Sequence, residues 1–264
     1  MNICLFEKSE LGKAIPIKDD RVQHIIKVLK KNEGDDFFAG VIGEKSGRAR
    51  ITKIENDNFF FEFEDFSKED LRPLFPLKMI VGFPRPIQLK RLLRDVAALG
   101  LCEIHLTGTE LGEKSYLNSN LSQKENVYKM LLEGTVQAGA TKIPEIYIHK
   151  NLAECLEMKS LYSSFKEGKQ GFPNERSFGN IAKISLDNKE PKCSLEEVMK
   201  NLIPNKDQMV VAAIGSERGW TDRERILFKK NGYTICGMGN RIMRTETAAT
   251  VAAAIILNYL GALK

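Results

Sequence analysis

Ile214-Gly-Ser-Glu-Arg-Gly-Trp220 and Gly239-Asn-Arg-Ile-Met-Arg-Thr-Glu-Thr-Ala248 decide how this chain is read. Each stretch follows an apolar, strand-like run, and each opens a helix. Val210-Val-Ala-Ala-Ile214 is apolar at every position, the pattern of a strand covered on both faces. It ends at Gly215. Thr221-Asp-Arg-Glu224 has the spacing of a capping box, and its helix runs through Ile226, Leu227 and Phe228 to Gly232. Gly215–Trp220 is therefore a loop at the carboxyl end of a strand, where open α/β sheets hold their ligands. The second loop follows Thr234-Ile-Cys-Gly-Met238. Gly239 permits close approach of a ligand, Arg241 and Arg244 bracket Ile242 and Met243, and Thr245 is placed to cap the next helix, Ala248–Leu257. Alanines on every side of that helix predict close packing all round, on sheet or on a partner subunit.

Outward from these loops the chain divides in two. Its first 66 residues read as short strands: Asn2–Phe6, Asp36–Val41, Arg48–Ile54 and Asn58–Glu64, the last with alternating Phe59, Phe61 and Phe63. Arg21–Lys31 carries Val22, Ile25, Ile26 and Leu29 at helical spacing. Short strands with tight turns suggest a small barrel. Ser67–Pro76, with charges and two prolines, reads as a linker. Beyond it strands alternate with helices. The strands are Met79–Phe83, Glu103–Thr107, Glu145–Ile148, Ile181–Leu186, Met209–Ile214 and Thr234–Met238. Ile87–Leu99, Asn126–Ala138 and Leu152–Met158 are helices, and the apolar-poor Ser163–Asn180 reads as a mobile loop. This alternation predicts an α/β domain with a parallel sheet.

Composition sets the bounds. In 264 residues, 40 Lys and Arg stand against 35 Asp and Glu, a net +5 that permits a polyanionic partner. The 5 cysteines are dispersed, which argues against a disulfide framework or a structural zinc and for a reducing compartment. The N-terminus is charged by Glu7, so no signal peptide fits. The apolar run Ala248–Leu257 is far short of the roughly 20 residues a bilayer span needs. A cytoplasmic protein with no membrane partner is expected.

A dinucleotide is disfavoured at the first loop. Its pattern is Gly-x-x-x-Gly rather than Gly-x-Gly-x-x-Gly, and Glu217 sits where pyrophosphate wants donors. A carboxylate there suits a cationic or neutral ligand. Alone, Gly215 and Gly219 read as turn glycines, Arg241 and Arg244 as solvated charges, Met238 and Met243 as core. Two such loops within one short stretch point to a site.

Ile214-Gly-Ser-Glu-Arg-Gly-Trp-Thr221 with Met238-Gly-Asn-Arg-Ile-Met-Arg-Thr-Glu-Thr-Ala-Ala249 resembles the signature of the SPOUT methyltransferases. More closely, it is similar to the ribosomal RNA small subunit methyltransferase E family, which methylates N3 of a uridine in 16S rRNA. His24-Ile-Ile-Lys-Val-Leu-Lys30 with Gly34-Asp35, and Glu133-Gly-Thr-Val-Gln-Ala-Gly139 with Ile143-Pro-Glu145, extend the resemblance over most of the chain. It implies an N-terminal PUA-like β-barrel (1–72) and a C-terminal α/β domain (73–264) with a parallel sheet and a deep trefoil knot. It also implies S-adenosylmethionine as cofactor, 16S rRNA or the small ribosomal subunit as partner, and a homodimer. Carried over by position, Gly215, Glu217 and Gly219 line the first knot loop, and Met238, Gly239, Ile242, Met243 and Arg244 the second. Ser216 and Arg218 replace the family's usual Pro and Gly, Thr107–Ser115 stands where it carries Glu-Arg-Ser, and Gly139-Ala140 replaces its Gly-Arg.

Methyl transfer to uridine N3 needs alignment, loss of the N3 proton and stabilisation of the resulting anion. Arg244 is the candidate for the last role, and Glu217 or Glu246 for the base. No metal is required, and His24, His105 and His149 lie outside the loops. Lys27, Lys30, Arg48 and Arg50, with Lys31, Lys45 and Lys53, are the candidate RNA-binding residues of the barrel; alone, they read equally as a solvated face. A nucleotide-cofactor oxidoreductase and a catalytically silent RNA-binding relative are the competing readings.

Overall fold

The computed structural model describes residues 3–66, 72–117, 119–120, 123–163, 181–189, 191–202 and 208–263. Two sheets organise them. The first contains β1 (Cys4–Phe6), β2 (Ile15–Pro16), β3 (Asp36–Val41), β4 (Ser46–Glu55) and β5 (Asn58–Phe66) in the order β1-β3-β4-β5-β2. β1 runs parallel to β3 and the other pairs are antiparallel. Asn56 and Asp57 both take positive φ, 47° and 61°, in the two-residue turn joining β4 to β5, the geometry that suits the twist of a hairpin. The sheet curls around an aromatic core in which Phe6, Phe37, Phe59 and Phe61 meet at ring distances of 4.4–6.2 Å.

The expected helix over Arg21–Lys31 is shorter and irregular. Only Asp20–Gln23 (α1) is α-helical; His24–Val28 continues as a π turn, and Lys30 leaves it at φ 53°. Three β-branched residues, Ile25, Ile26 and Val28, crowd this segment, and Val28 and Leu29 point to solvent.

The second sheet holds β6 (Phe75–Gly82), β7 (Leu101–Thr107), β8 (Glu145–His149), β9 (Ile181–Leu186), β10 (Met209–Ile214) and β11 (Thr234–Cys236). Its order is β11-β9-β10-β6-β7-β8 and every pair is parallel. β11 is shorter than the expected Thr234–Met238. The helices are α2 (Pro86–Ala98), α3 (Lys114–Leu117), α4 (Lys124–Ala138), α5 (Leu152–Glu157), α6 (Leu195–Leu202), α7 (Asp222–Lys230) and α8 (Thr245–Tyr259). α2, α4, α6 and α8 cover the face that presents Leu77, Met79 and Val81 of β6. α5, α7 and the 3-10 turn Lys159–Tyr162 cover the face with Ile80, Val211 and Ala213. The chain is thus an α/β protein with a parallel sheet plus a separate curled sheet.

β6 begins at Phe75, so Pro76 belongs to a strand rather than to the linker. The register of β6 on β7 shifts between Phe75 and Lys78, an irregularity of the kind that lets a strand accept proline. Residues 67–71 of the linker and 164–180 of the expected mobile loop lie outside the described residues. The 72/73 division falls between the last strand of one sheet and the first of the other. The sheets touch where the β3–β4 turn meets the segment after α4: Gly43 N donates to Thr141 O (2.8 Å) and Thr141 Oγ1 to Glu44 O (2.6 Å).

Two expectations for the last helix are corrected. Thr245 is the first helical residue, not the cap; Arg244 holds the cap position without a side-chain cap bond. The Thr245 hydroxyl turns back to Gly215 O at 3.4 Å, so it is spent on the neighbouring loop. Nor is α8 enclosed on all sides: Ala249, Ala252, Ala253, Ile256 and Leu257 are buried, while Val251, Ala254, Ile255 and Tyr259 on the outer face are only half-buried.

Arg21 ties the start of the first sheet together. It donates to both carboxylate oxygens of Glu10 (2.6 and 2.9 Å), to Asp19 and to Leu5 O. Hydrogen bonding to this guanidinium holds the Glu10 and Asp19 carboxyls below their ordinary values of 4.5 and 3.8. Carboxyls depressed on folding stabilise above their ordinary values and lose that contribution as pH falls through the folded ones. Urea melts followed through Phe-rich near-UV signals should show stability declining below about pH 4, and Arg21→Met should flatten that acid limb.

Candidate active site

Three loops leave the carboxyl ends of adjacent parallel strands: Asp187–Lys189 after β9, Gly215–Thr221 after β10, and Gly237–Arg244 after β11. They enclose a cavity of about 690 Å³. Its apolar wall is Leu186, Ile214, Met238, Met243 and Ala248; its polar rim includes Ser216, Glu217, Asp222 and Thr245.

The middle loop is held from several sides. Gly219, at φ 70°, closes a turn by donating its N–H to Ser216 O at 2.8 Å. Gly215 lies against that turn so tightly that a Cβ on it would stand 2.8 Å from Gly219 Cα. A Cβ on Gly82, at the end of β6, would meet Ser216 N at 2.3 Å. Ser216 Oγ shares a hydrogen bond with Thr109 Oγ1 (2.9 Å). Below the loop Trp220 is buried edge-on to Phe228, its indole N–H donating to Leu186 O at 3.2 Å. The capping box forms as expected: Glu224 N donates to Thr221 Oγ1 (3.2 Å) and Thr221 N to Glu224 Oε2 (2.8 Å). The other Glu224 oxygen accepts from Glu110 N (3.0 Å), which joins the loop after β7 to the same corner.

Asp187 and Arg225 form the floor pair. Arg225 donates to both Asp187 oxygens, 2.6 Å from Nε and 3.1 Å from the terminal nitrogen. Asp187 N–H donates to Cys236 O, so one residue links the ends of β9 and β11 to α7. Bonding to Asp187 raises the Arg225 guanidinium above its ordinary value. Lys189 and Arg225 both donate to Asp222, whose carboxyl they hold down.

Of the residues singled out from sequence, Gly215, Glu217, Gly219, Met238, Ile242 and Met243 share this cavity. Gly239, at φ 92°, and Arg244 are exposed on the same loop but are not among its lining. Glu246 is buried in the first turn of α8, away from the wall. Glu217 is exposed, and its Oε1 accepts from Arg85 N (2.8 Å) at the start of α2. Sequence reasoning passed over Leu186, Asp187 and Arg225. The local signal was weak, since Leu186 ends a strand with Lys183 and Ser185 in it, Arg225 is one of four charges that open α7, and the Asp187–Arg225 pairing is long-range. On the first sheet, Lys27, Lys30 and Arg48 are exposed with no ion pair among the described residues. Arg50 is engaged by Asp36 (3.1 Å) and Glu64 (2.7 Å).

A family model described as an RNA methyltransferase domain matches residues 70–257. The chain is 40% identical to ribosomal RNA small subunit methyltransferase E of Treponema pallidum, covering 97% of this chain and 91% of that protein. The chain belongs to the ribosomal RNA small subunit methyltransferase E family. A second member, ribosomal RNA small subunit methyltransferase E 1 of Borreliella burgdorferi, is 31% identical with 97% of each chain covered. The fold matches the crystal structure of ribosomal RNA small subunit methyltransferase E from Neisseria gonorrhoeae bound to S-adenosyl methionine, at TM-score 0.74 and 20% identity over 98% of this chain and 97% of that one. As a member of the methyltransferase E family, this protein is an RNA methyltransferase acting on ribosomal RNA. Within that family its loop is built on Ser216, whose hydroxyl bonds to Thr109.

Asp187→Ala should strip Arg225 of its buried partner and destabilise the fold by about 3–5 kcal/mol, read as a lowered urea midpoint. Gly215→Ala, whose Cβ would meet the Gly219 backbone at 2.8 Å, should open the turn, so that ligand affinity at the cavity falls and the melting temperature drops with it.

Proposed function

We propose that the protein transfers the methyl group of S-adenosylmethionine to N3 of a uridine in 16S rRNA. The observation that carries this reading is the cavity at the ends of β9, β10 and β11. Leu186, Ile214, Met238 and Met243 offer it an apolar slot for a flat base, and Glu217 offers a carboxylate near a cationic sulfur. The Glu217 carboxylate on the loop disfavours a pyrophosphate at that position, which counts against an oxidoreductase.

The reaction is an in-line displacement. The N3–CH₃ bond forms as the S–CH₃ bond breaks, leaving a neutral thioether, and the N3 proton passes to a base. Arg244 is our candidate for stabilising the developing imide anion at O2 or O4. It is exposed between Met243 and Thr245, two residues of the cavity wall. Of the two candidate bases, Glu217 is on the wall and Glu246 is buried away from it.

We further propose that the chain segment leading from β11 to α8 threads a trefoil knot. The β10–α7–β11 path crosses to the far side of β9 and α8 then returns to pack on β6 and β10, with Thr245 touching Gly215. The half-buried outer face of α8, with Ile242 86% exposed and Ile87 78% exposed, supports a homodimer whose partner covers the cavity mouth. The first sheet, in this reading, is a PUA-like RNA-binding unit, with Lys27, Lys30 and Arg48 available to phosphate and Arg50 already neutralised by its two carboxylates.

Isothermal titration with S-adenosylmethionine and S-adenosylhomocysteine, followed by mapping of methylated nucleosides in 16S rRNA or small subunits, tests the reading. Saturable binding and N3-methyluridine are expected; a different modified nucleoside would overturn the assignment of N3. Arg244→Ala should bind cofactor normally yet lose about 10²–10³ in kcat. For RNA binding, Lys27→Ala and Arg48→Ala should each reduce the slope of log affinity against log salt by up to about 1, while Arg50→Ala should leave it unchanged.

A further inference from the structure

β7, β8 and α5, on the far side of β6 from the cofactor cavity, hold a second constellation that methyl transfer does not use. His105 on β7 pairs with Tyr147 of β8 and His149 with Thr107, so the two histidines lie diagonally on one face of the sheet, with His105 Nδ1 2.9 Å from His149 Nε2. Cys155 of α5 faces them, and one donor atom from each of the three residues lies within 4.8 Å of the others. All three side chains are buried.

We infer that His105, His149 and Cys155 form a binding site for a zinc-class divalent cation. Two imidazole nitrogens and a thiolate are the borderline-soft donor set that zinc takes. Bond lengths of about 2.0–2.3 Å place donors about 3.5 Å apart around a tetrahedral ion. The ring nitrogens need only separate by a few tenths of an ångström from their present spacing, on the order of one side-chain adjustment.

The outer shell is also in place. His105 Nε2 is buried, has no hydrogen bond among the described residues, and lies 3.4 Å from Glu103 Oε1. An ion on Nδ1 fixes the remaining ring proton on Nε2, aimed at that carboxylate, the arrangement that orients metal-bound histidines. Glu103 is itself anchored by the buried Lys78 at 2.5 Å, and Lys78 also donates to Ser160 O. A cavity of about 360 Å³ reaches His149 from outside, past Tyr147, Glu154 and Met158, and gives an ion its entry path.

The proton between the two rings moves to His149 Nδ1, both facing nitrogens become donors to the ion, and the Cys155 thiol releases its proton to solvent. One proton leaves per ion as the thiol becomes a thiolate.

The test is titration of the metal-stripped full-length protein with Co²⁺, followed by absorption, and displacement by Zn²⁺. One equivalent with a thiolate-to-cobalt charge-transfer band, released on adding Zn²⁺, is expected. Cys155→Ala and His149→Gln should abolish the band and weaken binding beyond the about 10–100-fold that loss of an outer-shell partner costs. Cys193→Ala, which removes the partly exposed thiol, should change nothing. Absence of saturable binding, or a band that survives Cys155→Ala or vanishes with Cys193→Ala, overturns the site. Should both ligand variants fail to fold, anomalous scattering from Zn²⁺-soaked wild-type crystals decides: a peak between these three side chains supports the site, and none at saturating zinc removes it. S-adenosylmethionine binding is independent of this outcome.

Discussion

The end of β6 and the loop after β10 meet backbone to backbone, and the rest of the site depends on that contact. Neither Gly82 nor Gly215 has room for one more carbon. β10 lies beside β6, and its exit loop passes so close to the end of β6 that a Cβ on Gly82 would meet Ser216 N at 2.3 Å. Side chains at either glycine would lift the loop and separate Ser216 from Thr109 and Thr245 from Gly215. The apolar slot exists because main chain, not side chain, fills this corner.

Much of this was legible in the sequence, for identifiable reasons. The run Val210–Ile214 has no polar position, so its burial on both faces could be read directly. The Thr221–Glu224 box is a local device, and local devices survive folding. The same holds for the alternating phenylalanines of β5. What failed to show was what depends on distant partners. Thr245 looked like a cap because Ser and Thr usually are caps before a helix, yet a carbonyl thirty residues earlier claimed its hydroxyl. Pro76 looked like a linker residue because prolines rarely sit in strands, and the register shift that admits it cannot be seen in one strand's sequence. Asp187 and Arg225 gave no joint signal, since nothing local relates position 187 to position 225. The even scatter of alanines in α8 concealed which side faces the sheet.

Buried charge is distributed unevenly. The apolar face of the second sheet toward α2 and α8 is nearly free of ionic groups, whereas the opposite face carries Lys78, Glu103, His105 and His149 in a row across β6, β7 and β8. Polar groups that have left water must find partners, and here they find one another: lysine to carboxylate, carboxylate beside imidazole, imidazole to imidazole. Such a row restricts strand register, because a shift of one residue would turn each group into the apolar layer behind it.

α8 also has two jobs on two sides. Its inner surface, through Thr245 and Ala248, is part of the cavity wall, while its outer surface stays partly bare. Whatever settles on the outside leans on a rod whose other side bears on the occupant. Occupancy and assembly are then linked in both directions: whatever factor filling the slot applies to an association across α8, that association applies to filling.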